Sequence, residues 1–475
     1  MYRSRAWRLA PAAITAVLVL GALGCGGGGG GGGRDGGTPP PAPPDPATAR
    51  FDLTIGNLLP LTGELSPFGP PGRKAAELAI EQTRDALDEA KVDGVAVSLR
   101  DGDTQTNPEA SVTAARRLVA TGSTCLTGAW ASAETIAVAQ QVATPDRVPL
   151  ISPATTSAQM TTLGDEGFAL RTAPSNSLQG ETLADVVEQE LGATDRTITV
   201  AGRNDAYGQG LAQGFRRAWE AKGGEVTGGP ILYDPEQPDY KEEAERIVAD
   251  DPDGYVIVDF PDTYARVGSA LVEVDEFDSG KLFVTDGLAG QGLPKEIPSE
   301  ALDGARGIRP GTTVAGPAAK AFDRLYSRSK LEPKDRQTFD AQNFDANILC
   351  FLGAIAAGSN KGEDIQGKHR EVSGPPGEKL TFERLDDAIK LLRRGEDVDY
   401  QGASGPIDLD AQGDPAFGTY EIFEFGRNRD FEVQRQVQAR MGQGIYQPPG
   451  AGAGGERGRG SDAGSAEGGS QGGSP

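Results

Sequence analysis

The sequence predicts an α/β protein made of two doubly wound parallel-sheet lobes. Two observations predict it. Strand and helix patterns alternate regularly from residue 51 onward, in two series separated near residue 172. The globular stretch, roughly residues 51–446, is also too long for one ordinary hydrophobic core. In the first series, residues 53–59 (LTIGNLL) read as a strand, ended by Pro60 and a Gly/Pro-rich loop that runs to Gly72. Residues 74–90 are helical in composition, with Ala75, Leu78, Ala79 and Leu87 on one stripe. Residues 95–99 make the second strand, 109–120 the next helix, and 125–129 a third strand opened by Cys125. Ser132 starts another helix, and residues 148–151 form a strand that ends in Ser152-Pro153. In the second series, the spacing of Leu183, Val186, Val187 and Leu191 marks a helix. Residues 197–201 are a strand, and 207–221 a helix closed by Gly223 and Gly224. Asp239 and Glu242 have capping-box spacing. Residues 255–259 and 281–284 are further strands.

The two ends of the chain are of another kind. Arg3, Arg5 and Arg8 precede a short apolar run, residues 10–24, which Cys25 and eight glycines follow. This reads as an export signal over residues 1–24, cut so that the mature chain begins with a lipid-bearing Cys25. Ala22-Leu23-Gly24-Cys25 exchanges the Leu and the small residue of the usual bacterial lipoprotein site, so a plain secretory cut nearby is the other reading. The apolar run falls short of the ~20 residues a bilayer helix needs. Residues 25–50 form a Gly/Pro-rich linker, and residues 447–475 are mostly Gly, Ser, Pro and Ala. Both are expected to be disordered, because neither buries enough apolar surface to offset its ordering entropy.

Composition excludes several functions. Acidic residues outnumber basic ones, 69 to 46, for a net charge of −23. That balance argues against nucleic acid as a partner. The single histidine, His369, rules out a His-rich zinc site and an HExxH helix, and its polar surroundings read as solvated surface. Cys125 and Cys350 either pair, as exported cysteines often do, or remain two buried thiols.

In open parallel sheets, ligands sit at the carboxyl ends of the strands. The first series places Phe68, Trp130, Ser132, Ala154 and Thr156 there, and the second places Tyr207, Phe260 and Asp286. Hydroxyls and backbone N–H groups at helix starts suit a ligand carboxylate. A buried carboxylate on the facing lobe suits a ligand ammonium. Together they describe a cleft for a zwitterion such as an amino acid, with an apolar wall for its side chain. Each residue also has a plainer reading. Ser132, Thr155, Thr156 and Ser157 can be helix caps, Phe68, Tyr207 and Phe260 core aromatics, and Asp286 a turn residue.

Several ordered segments carry a resemblance. They are Leu59-Pro60-Leu61-Thr62-Gly63 with Gly69, then residues 101–108, 128–135 and 148–156, and Leu170-Arg171-Thr172-Ala173-Pro174. Further on come residues 204–210, Phe344-Asp345-Ala346, residues 402–406, Asp408-Leu409-Asp410 and Gly413-Asp414. Over about residues 51–430 the chain resembles the extracytoplasmic substrate-binding proteins of ABC importers for branched-chain and related amino acids. These have the type I periplasmic-binding-protein fold. The resemblance implies three hinge crossings, near Thr172, residues 311–316 and residues 403–406. Lobe 1 is then residues 51–172 and 316–403, and lobe 2 residues 173–315 and 404–432. It implies that Ser132 and Thr156 hold the ligand carboxylate, with a backbone contact from Ala154. Phe68, Tyr207 and Phe260 match the family's aromatics, and Asp286 its acidic residue for the ammonium, where Glu is common. Trp130 is not a typical binding residue and reads as narrowing the pocket. The implied protein is a lipid-anchored, monomeric receptor outside the cytoplasm that hands an amino acid to an ABC permease. It needs no catalytic residue, cofactor or metal. The alternatives are a receptor for an amide, urea or aromatic acid, or a sensory ligand-binding lipoprotein.

Overall fold

Nine consecutive residues of strand β1 (Phe51–Leu59) pair in parallel with nine of β2 (Val95–Asp103), and this ladder organises the first lobe. The computed structural model describes residues 44–311 and 316–446. Cys25, the export signal and the tail from residue 447 lie outside them. The first sheet is wholly parallel, in the order β2-β1-β3-β4-β5, with β3 Cys125–Thr127, β4 Leu150–Ser152 and β5 Ala169–Arg171. Helices α1 (Gly69–Glu89), α2 (Pro108–Ala120), α3 (Ser132–Val138) and α4 (Ala158–Thr161) connect its strands. Two boundaries differ from expectation for identifiable reasons. α1 starts at Gly69 rather than Lys74, because Pro70 and Pro71 fall in its first turn, where the missing N–H groups cost nothing. β2 runs to Asp103 rather than Leu99, because Arg100 to Asp103 keep pairing with Gly56 to Leu59.

The second lobe begins with α5 (Asn176–Leu191) and continues β6 (Thr197–Arg203), α6 (Ala206–Ala221), β7 (Glu225–Val226) and β8 (Ile231–Tyr233). It goes on through α7 (Lys241–Val248), β9 (Gly254–Val258), α8 (Pro261–Leu271), β10 (Leu282–Val284) and β11 (Arg306–Pro310). The cap of α7 is Tyr240 rather than Asp239, although the Asp239 carboxylate still accepts from the Lys241 N–H at 3.1 Å. The chain then returns to the first lobe with α9 (Pro317–Arg328), α10 (Asp340–Ala357), α11 (Gly362–Gln366), α12 (Lys368–Val372), β12 (Glu378–Leu380), α13 (Leu385–Leu392) and β13 (Val398–Gly402). Phe322, Phe344 and Ile389 of this return share one core with Leu53, Ile55 and Leu78. After β14 (Gly405–Pro406), strands β15 (Phe417–Phe425), β16 (Phe431–Arg440) and β17 (Gly444–Tyr446) extend the second sheet. β15 joins β11 antiparallel, so a parallel core gains an antiparallel edge.

Cys125 of β3 and Cys350 of α10 form a disulfide, with their Cα atoms 6.0 Å apart, which settles that pair as bonded. His369 corrects the sequence reading: it is fully buried, not solvated. Short helix α12 turns His369 and Val372 inward while Lys368 and Glu371 pair outside at 2.6 Å. The ring lies against Gly353 of α10, where a Cβ would sit 3.0 Å from it. Residues 44–50, read as linker, pack on the first lobe, with Arg393 donating to the Ala47 carbonyl at 2.5 Å. Among the described residues no helix is long and apolar enough to cross a membrane.

Candidate functional site

The carboxyl ends of the two sheets face each other across a narrow cleft. Phe68, Ser132 and Ala154 line it from the first lobe, and Tyr207, Phe260 and Asp286 from the second. Its cavity volume is about 20 Å³, room for about one water and far below that of a ligand pocket, so the lobes are closed on each other and must part to admit a ligand. Thr156 is the one proposed contact the cleft wall does not include. It is fully buried, and its hydroxyl has no partner.

Each wall has a local cause. The loop after β1 is held by Asp103, whose carboxylate accepts from the N–H groups of Leu61 at 3.0 Å and Thr62 at 3.1 Å. Gly63 must be glycine there: its φ is +87°, and a Cβ would lie 2.2 Å from the Gln105 carbonyl. This loop delivers Phe68 to the cleft. Trp130 follows β3, and Gly72 of α1 makes room for its ring, which a Cβ would meet at 2.4 Å. Trp130 stands 6.3 Å from the rings of both Phe68 and Phe339, the latter edge-on. Opposite, Tyr207 and Phe260 stack at 5.1 Å. The floor is therefore aromatic from both lobes.

Ser132 is the first residue of α3, and Ala131 is the cap, so the capping explanation of Ser132 fails. The Glu134 carboxylate takes the Ala131 N–H at 2.9 Å instead. The Ser132 hydroxyl accepts from the Ser157 N–H at a long 3.3 Å and keeps its own proton for another partner. The loop from Ser152 to Ser157 is held from behind by Arg171, which donates to the Ser157 carbonyl at 2.8 Å. Arg171 is itself paired twice with Asp414, at 2.8 and 2.7 Å. The Ala154 N–H points to Ser152 Oγ at 3.4 Å, a weak bond.

Asp286 is buried, and burial pushes its carboxyl up to about 6 despite hydrogen bonds from Gln179 and Tyr207. Tyr207 donates to Asp286 Oδ1 at 3.1 Å, and Gln179 donates to the same oxygen. One carboxylate oxygen is therefore occupied by protein donors and carries a charge with no cation beside it. Such a group attracts a ligand ammonium. Sequence reasoning missed Leu65, Phe339 and Gln179. Phe339 adopts a left-handed φ of +72° just before α10, a conformation that clusters at ligand clamps. No local pattern in Thr338-Phe339-Asp340 announces it.

The model of a family described as periplasmic binding protein matches residues 52–426. The chain is 25% identical over 381 residues to the chemotactic signal transduction system substrate-binding protein BasB of Halobacterium salinarum, covering 77% of this chain and 85% of that one. It is 29% identical over 312 residues to Leu/Ile/Val-binding protein homolog 3 of Brucella melitensis, covering 66% and 80%. Among solved structures it is similar to the branched-chain amino acid transporter substrate-binding protein LivJ of Streptococcus pneumoniae, in complex with isoleucine. There the TM-score is 0.64 and the identity 19%, over 84% of this chain and all of that one.

Proposed function

The chain belongs to the periplasmic binding protein family, and we propose that this solute-binding receptor takes an amino acid, branched-chain or related, between its lobes. One observation carries the reading. A hydroxyl with a free proton, Ser132, and an unneutralised carboxylate, Asp286, lie on opposite lobes of one aromatic-lined cleft. These ends complement a zwitterion, and the rings between them complement an apolar side chain. Thermal-shift screening of the purified domain against amino acids and aromatic acids tests it. L-leucine or a close relative should raise the melting temperature, and a flat response to every amino acid would overturn it.

A second reading is an aromatic acid. The aromatic walls favour it, and Asp286 already accepts two hydrogen bonds from the protein. Benzoate would then shift the melting temperature and the amino acids would not.

The receptor works outside the cytoplasm. We further propose that it acts as a monomer, held by lipid on Cys25, and hands its ligand to an ABC permease. The ~20-residue linker allows a reach of at most ~70 Å. Cys25→Ala should release the protein from membranes, and retention would place the anchor elsewhere. BasB, named for chemotactic signalling, keeps open a sensory role. Normal amino acid uptake with lost signalling after gene deletion would favour that role over transport.

A further inference from the structure

A charged contact crosses the cleft beside the binding residues. Glu64 belongs to the first lobe, in the loop that Asp103 fixes. Its Oε2 lies 2.9 Å from Nη2 of Arg203, at the end of β6 in the second lobe. Its Oε1 accepts from the Thr263 hydroxyl, on α8 of the second lobe, at 2.9 Å. One carboxylate thus engages two donors of the opposite lobe, one with each oxygen.

Arg203 connects this contact to the pocket. Its side chain is only 7% exposed, and its guanidinium lies 3.9 Å from the centre of the Phe260 ring. Phe260 stacks on Tyr207, whose hydroxyl reaches Asp286. Arg203 also pairs with Asp205 at 2.5 Å and faces Asp259 at 3.8 Å, both within its own lobe. Glu64 is therefore the one carboxylate around Arg203 that leaves when the lobes part. Removing it leaves a buried cation that is still paired, so the second lobe keeps its own charge balance.

We propose that Glu64 is a positioning residue that latches the two lobes closed, through Arg203 and Thr263, and holds the Phe260–Tyr207 wall against the cleft. Its loop is prearranged by Asp103 and Gly63, so little ordering is lost when the latch forms. A neutral contact accompanies it. Gln337 and Gln291 exchange hydrogen bonds at 2.8 and 3.0 Å, and the Thr338 hydroxyl donates to the Ala289 carbonyl at 2.6 Å. Loss of Glu64 should therefore loosen closure rather than abolish it.

The test uses ligand-free protein, so it stands whether or not the ligand is an amino acid. Hydrogen exchange is followed by mass spectrometry in wild type, Glu64→Gln and Thr263→Val. The segments read are 128–134 and 284–291 in the cleft and 340–357 in the first-lobe core. Glu64→Gln should speed exchange in both cleft segments about tenfold, the scale of one charge-assisted hydrogen bond, and leave 340–357 unchanged. Thr263→Val should do the same to a smaller extent. Unchanged cleft exchange would overturn the latch. So would equal acceleration in 340–357, which reports general destabilisation, or a wild-type cleft already exchanging without protection.

Discussion

Replacing Asp286 by Asn should weaken binding and strengthen the empty fold at once. Asn keeps the shape and can still accept from Gln179 and Tyr207, so it removes charge rather than packing. Burial holds the Asp286 carboxyl at about 6 instead of its ordinary 3.8. Folding raises its pKa, so its stabilising effect is complete below pH 3.8 and is lost as the pH rises through 6. At 1.36 kcal/mol per pKa unit, the ionised group costs the empty protein about 3 kcal/mol above pH 6. Asp286→Asn should recover much of that at pH 8. Binding moves the other way. Leaving a ligand ammonium buried without its counter-charge costs about 3–5 kcal/mol, or roughly 150- to 4,000-fold in affinity. Urea unfolding of the ligand-free proteins and calorimetric titration with L-leucine read the two effects. A variant that binds L-leucine within threefold of wild type, or is less stable than wild type when empty, would refute the reasoning.

Three other outcomes follow from the same structure. Ser132→Ala should weaken L-leucine binding roughly 10- to 150-fold, the range for a hydrogen bond to a charged group, with a small fall in melting temperature because the buried Ser157 N–H loses its long bond to Ser132. An equal affinity would remove Ser132 from the site. Replacing Cys125 and Cys350 together by Ala opens a loop of 225 residues, worth up to about 5 kcal/mol in chain entropy. A loss below about 1 kcal/mol in urea unfolding would contradict this. Burial pushes the His369 imidazole down to about 4. The unfolded chain takes that proton first, so stability present above pH 6.5 falls as the pH drops toward 4, by about 3 kcal/mol. Urea unfolding of wild type and His369→Leu at pH 7.5 and 4.5 should show the difference between them moving by that amount in favour of the variant.

The parallel cores were legible because buried strands are short apolar runs, and Pro60 and Ser152-Pro153 mark where they stop. The polar second half of β2 was not, because Arg100 to Asp103 lack a strand pattern and are held by β1. His369 looked solvated because its sequence neighbours are charged, and a five-residue helix is too short to display which side faces in. The rule that ligands gather at strand ends pointed to Ser132, Tyr207, Phe260 and Asp286, and the structure brings these four to the wall of one cleft. The same rule placed Thr156 at the cleft, yet it is not among the residues of the wall, and its hydroxyl is buried without a partner. Phe339 and Gln179 were invisible for the opposite reason. They follow no strand, and only the packing of Trp130 and the reach of α5 bring them in.

The central claim is a cleft that recognises an ammonium through Asp286. Calorimetric titration with L-leucine from pH 8 to pH 5, with sodium benzoate in parallel, tests it most directly. The account predicts nearly constant L-leucine affinity above pH 7 and about a tenfold loss by pH 5, as Asp286 takes up its proton. L-leucine affinity that stays level or rises into acid, or benzoate binding in its place, would contradict it.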